Sequence, residues 1–253
     1  MNCLLVPSLA LDLTLLDRLD ASIDYPIANK IILNNGELHA LDAWQAAHPE
    51  WEVKDMGRNL GVAASWNLAP HIWPEEDRWL VVNEDIQFLP GRMEAICRVS
   101  DEQQGNHPIL FMNTTQPFWG FVWTRAGVSD FGLFDENFWP AYYEDYEMRL
   151  RYNKVAVRHF YIFGDGCPVV HGKMRNGGKN YNAMIQGCGL LNREYFLKKW
   201  GIQDDHDCNE AFRTPYDDPG CLINTWRFFP EQRAVREAIW NTFWNLPNRS
   251  IYT

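Results

Sequence analysis

Apolar and polar positions along the chain fall into blocks that alternate between strand and helix periods. Cys3–Ser8 (CLLVPS) is a short apolar run that predicts a first strand, and the Leu spacing of 11–22 (LDLTLLDRLDAS) suits a helix of about ten residues. A second strand over 30–33 (KIIL) stops abruptly at Asn34-Asn35-Gly36 and gives way to a helical pattern over 38–48 (LHALDAWQAAH). Strand, turn and helix in that order predict a βαβ unit whose turn lies at the carboxyl end of the sheet. A third strand is expected over 51–57 (WEVKDMG), and a buried fourth over 79–82 (WLVV) that runs into Asn83-Glu84-Asp85. Further along, the pattern predicts a helix near 90–103, strands over 108–113 and 118–124, extended segments over 155–163 and 168–170, and a helix over 181–200 stopped by Gly201. The last fifty or so residues are polar, with Pro215, Pro219 and Pro230, then a helical stretch through Trp240 and Trp244.

A chain of 253 residues can bury a sizeable core, which fits one large α/β domain with a small appendage. The expected division is a domain over 1–201 and a C-terminal extension over 202–253 packed on it. The net charge of −10 and pI near 5.1 argue against a nucleic-acid or anionic-membrane surface, which would need a basic footprint. Cys3, Cys97, Cys167, Cys188, Cys208 and Cys221 are dispersed without a CxxC pair, so neither a zinc site nor a thioredoxin-type motif is indicated and reduced thiols are expected. The N-terminus lacks a basic n-region, and Asp12, Asp17 and Arg18 interrupt its apolar run well short of a membrane span. A cytoplasmic protein with no transmembrane segment is therefore expected. The sequons at Asn113 and Asn248 carry little weight without a signal peptide.

Five stretches bear chemistry. Asn34-Asn35-Gly36 stands at a strand's carboxyl end, where ligands collect in α/β sheets, although Asn and Gly also simply turn chains. Small residues at Gly61, Ala63, Ala64 and Ser65 let a helix start close to a planar base or ribose, with Asn59 and Asn67 as neutral hydrogen-bonding partners. Asn83-Glu84-Asp85 suits a hard divalent cation, or else an acidic turn, and Asp85 is expected in solvent at the strand end. His171, followed by Lys173, Arg175, Gly177, Gly178 and Lys179, reads as a locally basic lid over phosphates, or as a solvated hairpin. The stretch 137–151 (NFWPAYYEDYEMRLR) sets Glu144 and Asp145 behind an aromatic run. Aromatic faces stack on sugars and a carboxylate can accept a hydroxyl proton. The bland alternative is a helix N-terminus with Glu147, Arg149 and Arg151 on a solvated face. Twelve Trp residues serve cores and sugar-facing surfaces alike.

In this order and spacing, Asn34-Asn35-Gly36, residues 58–63 (RNLGVA), Asn83-Glu84-Asp85, residues 132–136 (GLFDE), Glu144-Asp145, His171 and Lys199-Trp200-Gly201 resemble the family 2 inverting glycosyltransferases of the GT-A fold, notably rhamnosyltransferase-like members. The resemblance implies a Rossmann-like, mixed but mostly parallel α/β sheet flanked by helices, with a helical or irregular C-terminal extension. It implies a UDP-, dTDP- or GDP-sugar donor held by Asn34, Asn35, Arg58, Asn59, Gly61, Asn67, Asn83, Glu84, Lys173 and Arg175. Asp85 would take the place of the metal-binding acid and His171 would complete a Mn2+ or Mg2+ site. Asp145 would match the catalytic base, with Glu144 the second candidate, and the acceptor would be a glycan in polysaccharide assembly. Two positions depart from the family pattern: an Asn stands where an acid usually follows the second strand, and Asn83 replaces the first acid of the DxD motif. Two rival readings are a sugar-1-phosphate nucleotidyltransferase and a sugar-binding module without transferase activity. The former lacks support, because CLLVPSLALD holds no Gly-rich, basic phosphate loop after the first strand.

Overall fold

In a computed structural model, residues 1–103, 106–112, 117–155, 161–162, 169–171 and 179–205 are described, and of 152–186 the backbone alone. The run CLLV at the start of β1 (Cys3–Ser8) is buried on both faces, as a strand in the middle of a parallel sheet requires. β2 (Asn29–Asn34) and β4 (Arg78–Val82) flank it in parallel, and β3 (Trp51–Asp55) extends the parallel set beyond β2. β7 (Gly120–Thr124) pairs antiparallel with β4 and with β6 (Ile109–Phe111), and β8 (Tyr161–Ile162) closes the order β3-β2-β1-β4-β7-β6-β8. The sheet is mixed and mostly parallel, as expected from the sequence. A separate two-stranded sheet joins β5 (Ile86–Phe88) antiparallel to β9 (Val169–His171).

The chain forms two compact units. The first holds residues 1–59, 65–132 and 156–176, and contains both sheets. Its core joins Leu4, Val6, Ile32, Leu80 and Val122 of the sheet to Leu16 and Leu19 of α1 (Leu13–Ala21) and to Met93 and Ile96 of α4 (Arg92–Gln103). Asp12 caps α1 by accepting from the Thr14 amide at 3.1 Å. The second unit holds residues 60–64, 133–155 and 177–253. It packs Phe138 and Leu150 against Tyr195, Phe196, Trp200 and Ile202, joining α6 (Glu144–Val155) to α7 (Lys179–Trp200). α3 (Val62–Ile72) starts in the second unit and continues into the first.

Several boundaries differ from the sequence pattern for identifiable reasons. α2 (Asp42–Ala47) is shorter than the helical pattern over 38–48, because residues 37–41 make turns and His39 sits at φ 63°. β7 starts at Gly120, two residues late, because Pro117–Trp119 form a 3-10 turn. α5 (Arg125–Phe131) was invisible to periodicity: it is short, and its signal is the Thr124 cap, whose hydroxyl accepts from the Gly127 amide at 3.1 Å. Val155 ends α6 and does not open an extended segment. The expected extension over 202–253 lies, from residue 206 onward, outside the described residues. No helix among the described residues is long and apolar enough to cross a membrane. Cys3, Cys97 and Cys188 are buried free thiols; the other three lie outside.

Candidate functional site

In the first unit the carboxyl ends of β1, β2 and β4 lie side by side, with Ser8 in register with Asn34. The turn after β2 is knitted into that edge. The Asn35 amide N–H donates to the Ser8 carbonyl at 2.8 Å, and the Asn34 side chain donates to the Glu37 carbonyl at 2.8 Å while accepting from the Gly36 amide at 2.9 Å. The Asn35 side chain donates to Ser65 Oγ at 3.0 Å. Both amides therefore shape the loop, which sequence reading could not distinguish from a direct role toward a ligand. Gly36 is required sterically, since a Cβ there would lie 2.1 Å from the Leu9 carbonyl oxygen.

β4 empties into Asn83-Glu84-Asp85, and the turn closes back when the Ile86 amide donates to the Asn83 carbonyl at 3.3 Å. Because the buried strand β5 follows at once, the turn tucks inward. Asp85 is only 6% exposed, which corrects the expectation of a solvent-facing carboxylate. Glu84 is also buried and accepts a short hydrogen bond from the Ser8 hydroxyl. Burial pushes its carboxyl up to about 7; the Ser8 bond works against that and the neighbouring Asp85 charge adds to it. The β5–β9 ladder pairs His171 with Ile86, so the backbone of His171 stands beside that of the acidic turn, although its side chain lies outside the described residues. Asn83 and Asp85 offer oxygen donors of the kind that fit Mn2+ or Mg2+, and the His171 imidazole is a donor type that suits the same cations. Asn59 and Asn67 are buried and Arg58 is half-buried, whereas Lys173 and Arg175 lie outside the described residues. One ligand-type group escaped the sequence reading: His39, Asp42 and Asp55 converge on the protein surface, His39 Nδ1 lying 3.2 Å from Asp42 and 3.7 Å from Asp55.

The second unit holds the aromatic and acidic stretch. Gly61, at φ 82°, lies against residues 139 and 140; a Cβ there would come within 2.6 Å of Trp139 Cδ1, so only glycine fits. The chain then passes through Tyr142 and Tyr143 at φ 76° and 74° before α6 begins at Glu144. Asn192 of α7, fully buried, holds this turn by donating to the carbonyls of Ala141 at 2.8 Å and Tyr142 at 2.9 Å. No motif in the sequence marked Asn192. The two carboxyls differ. Glu144 is 6% exposed, with Oε2 lacking any partner, and burial, then the Asp145 charge, raises it well above the ordinary range. Asp145 is half-buried and is raised by burial, partly countered by the Tyr146 amide that donates to it at 2.8 Å. Both carboxyls are thus raised by burial, and Glu144 is the more deeply buried of the two.

The rest of α6 refutes the solvated face. Arg149 is exposed, but Glu147 and Arg151 are fully buried and paired by a short bond, and the Arg151 guanidinium also donates to the Leu133 carbonyl at 2.7 Å. Lys199 reaches Glu147 at 2.8 Å and Asp135 at 2.7 Å, and Asp135 accepts from the Tyr195 hydroxyl at 2.7 Å. The GLFDE and KWG segments singled out in the sequence are therefore joined through one buried ion pair. Burial alone would raise Asp135; the Lys199 charge and hydrogen bond outweigh it, and the carboxyl is held below its ordinary range.

No protein-family model and no curated protein matches the sequence. Solved structures do resemble the fold. TarS 1–349 of S. aureus in complex with UDP-GlcNAc superposes at a TM-score of 0.56 with 13% identity, over 98% of this chain and 82% of that one. Glucosyl-3-phosphoglycerate synthase of Mycobacterium tuberculosis, in complex with Mn2+, UDP and glucosyl-3-phosphoglycerate, gives 0.53 with 12% identity, over 81% of each chain. Against S. aureus TarS in its longer form the TM-score is 0.53 at 14% identity, and the match spans 42% of that chain. At these identities the likeness defines the fold, which is GT-A.

Proposed function

We propose that this protein is an inverting, metal-assisted glycosyltransferase that moves a sugar from a nucleotide diphosphate donor to a glycan hydroxyl, with Asp145 as general base. The reading places it in polysaccharide assembly in the cytoplasm. The observation that carries it is the placement of Glu144-Asp145 at the head of α6, behind the turn that Asn192 clamps, in a chain of GT-A fold. The solved structures bound to UDP or UDP-GlcNAc, and to Mn2+ or Mg2+, support a similar donor and cation here.

In this mechanism the Asp145 carboxylate takes the acceptor hydroxyl's proton as the acceptor oxygen bonds to the anomeric carbon. The bond from that carbon to the diphosphate breaks on the opposite face, its electron pair leaving with the phosphate, so one displacement inverts the centre. Asp85 and His171 would hold the divalent cation, which supplies charge neutralisation for the leaving diphosphate. The turn built from Asn34 and Asn35, with Arg58, Asn59, Gly61, Asn67, Asn83 and Glu84, would form or shape the donor side, to which the sequence would add the cations Lys173 and Arg175.

The test is Asp145→Asn, which keeps shape but cannot take a proton. Transfer from a panel of nucleotide sugars should fall by about 10²–10⁴-fold, while donor affinity by calorimetry stays within twofold or so of the parent. Unchanged turnover would remove Asp145 from catalysis.

A further inference from the structure

Of the four large apolar or aromatic side chains standing exposed among the described residues, two flank the carboxylates at the head of α6: Tyr142 is 53% and Tyr146 50% exposed. Ordinarily a tyrosine at such a position packs its ring, as Tyr143 between them does. The Tyr143 hydroxyl donates to Asp205 at 2.7 Å, and its ring lies 5.5 Å from that of Phe196. Tyr146 leans on Tyr143 with ring centroids 5.7 Å apart and keeps half its surface open. Tyr142 rests near Gly189, where a Cβ would meet its Cδ2 at 3.4 Å. Its backbone is held in the left-handed region, rarely adopted by a bulky residue, by the two hydrogen bonds from Asn192. The chain thus maintains an unfavourable turn whose outcome is an open aromatic ring three residues before Asp145.

We propose that Tyr142 and Tyr146 form an acceptor subsite that takes a neutral pyranose ring, the terminal sugar of the glycan, by stacking its C–H face on the tyrosines beside Asp145. The inference rests on the glycosyltransferase reading and adds to it the class of acceptor. Charge selects the occupant. The Asp145 carboxyl, only partly offset by the Arg149 charge, adds negative character here, and Glu147 is tied to Arg151 and Lys199, so a uronic acid or phosphorylated sugar would be disfavoured. An aromatic body with a polar tip suits a ring that shows C–H bonds on one face and hydroxyls at its edge.

The experiment uses the full chain and simple probes: methyl glucopyranoside, methyl galactopyranoside and methyl N-acetylglucosaminide as neutral rings, and methyl glucuronide as the anionic one. Saturation-transfer NMR reads which sugar protons touch the protein. The neutral probes should bind with C–H protons saturated, glucuronide should not, and Tyr146→Ala should weaken binding about tenfold while Tyr146→Phe retains most of it. Tyr146 lies on a helix surface where alanine is well tolerated, so this variant decides the matter even if Tyr142→Ala unfolds the turn. Neutral-sugar binding untouched by Tyr146→Ala, or glucuronide binding equal to that of the neutral rings, overturns the subsite. A parallel calorimetric titration with UDP-sugars separates the two ideas. Absent donor binding with the tyrosine-dependent sugar signal intact overturns the transferase reading and leaves the subsite, and the reverse pattern does the opposite.

Discussion

Glu144 and Asp145 are neighbours in sequence, yet the head of α6 buries Glu144 and leaves Asp145 half-buried. The folded state binds a proton at Glu144 that the unfolded chain releases at an ordinary carboxylate pKa. Stability contributed at this position is therefore present below the unfolded value and is lost as pH rises toward the raised folded one. Glu144→Gln keeps the neutral form at every pH, so it should make the protein less sensitive to alkaline conditions. Denaturant unfolding followed at several pH values between 5 and 9 checks this, with the variant's advantage growing upward from the acid end. A parallel loss in both proteins would show that Glu144 ionises freely. Turnover should fall less in Glu144→Gln than in Asp145→Asn, since Glu144 is the buried member of the pair and adjacent side chains diverge.

At the level of elements, α6 explains why part of this fold was legible and part was not. β1, β2 and β4 announce themselves, because buried parallel strands need uninterrupted apolar residues and LLV, IIL and LVV supply them. α6 follows another rule. Two of its inward positions, Glu147 and Arg151, are charged, so no apolar stripe appears and a reader of patterns assigns them to solvent. Lys199, the further partner of Glu147, is 52 residues away, counting 199 minus 147, and its own second partner, Asp135, is 64 residues from it, beyond the reach of any local window. The acids at the site were visible as residue types at strand and helix ends. The burial of Asp85 and the Asn192 clamp were not, because both depend on which elements pack above them. The network also yields a prediction: Lys199→Met leaves Asp135 and Glu147 buried with less compensation and should cost about 3–5 kcal/mol, read as a shift in the unfolding midpoint. A change under about 0.5 kcal/mol would mean that the charges are hydrated.

For the whole molecule, the acidic balance sets a condition on the donor. A chain of net charge −10 repels a nucleoside diphosphate at long range, so local positive charge must be supplied where the phosphates sit. If Asp85 and His171 hold a divalent cation, chelation should lower the affinity for UDP-sugar by at least about tenfold, with recovery on adding Mn2+ or Mg2+. Residual binding in the chelator should strengthen as salt is raised, because screening at about 0.1 M confines the repulsion to roughly 10 Å. Titration calorimetry at two ionic strengths, with and without chelator, measures both effects. Affinity indifferent to the chelator would remove the cation from donor binding.

The chain of buried charges running Arg151, Glu147, Lys199, Asp135 has a consequence for how this sequence can drift. Two positive and two negative groups close upon one another, so any one of them lost alone strands a charge in the interior. Replacement by apolar side chains of matching volume in all four positions at once would remove the desolvation cost together with the attraction, and such exchanges are often neutral or stabilising. The four positions are thus locked against single steps but open to a joint one. Descendants of this chain should either retain all four charges or have exchanged them as a set, with intermediates rare because each would pass through an unstable protein.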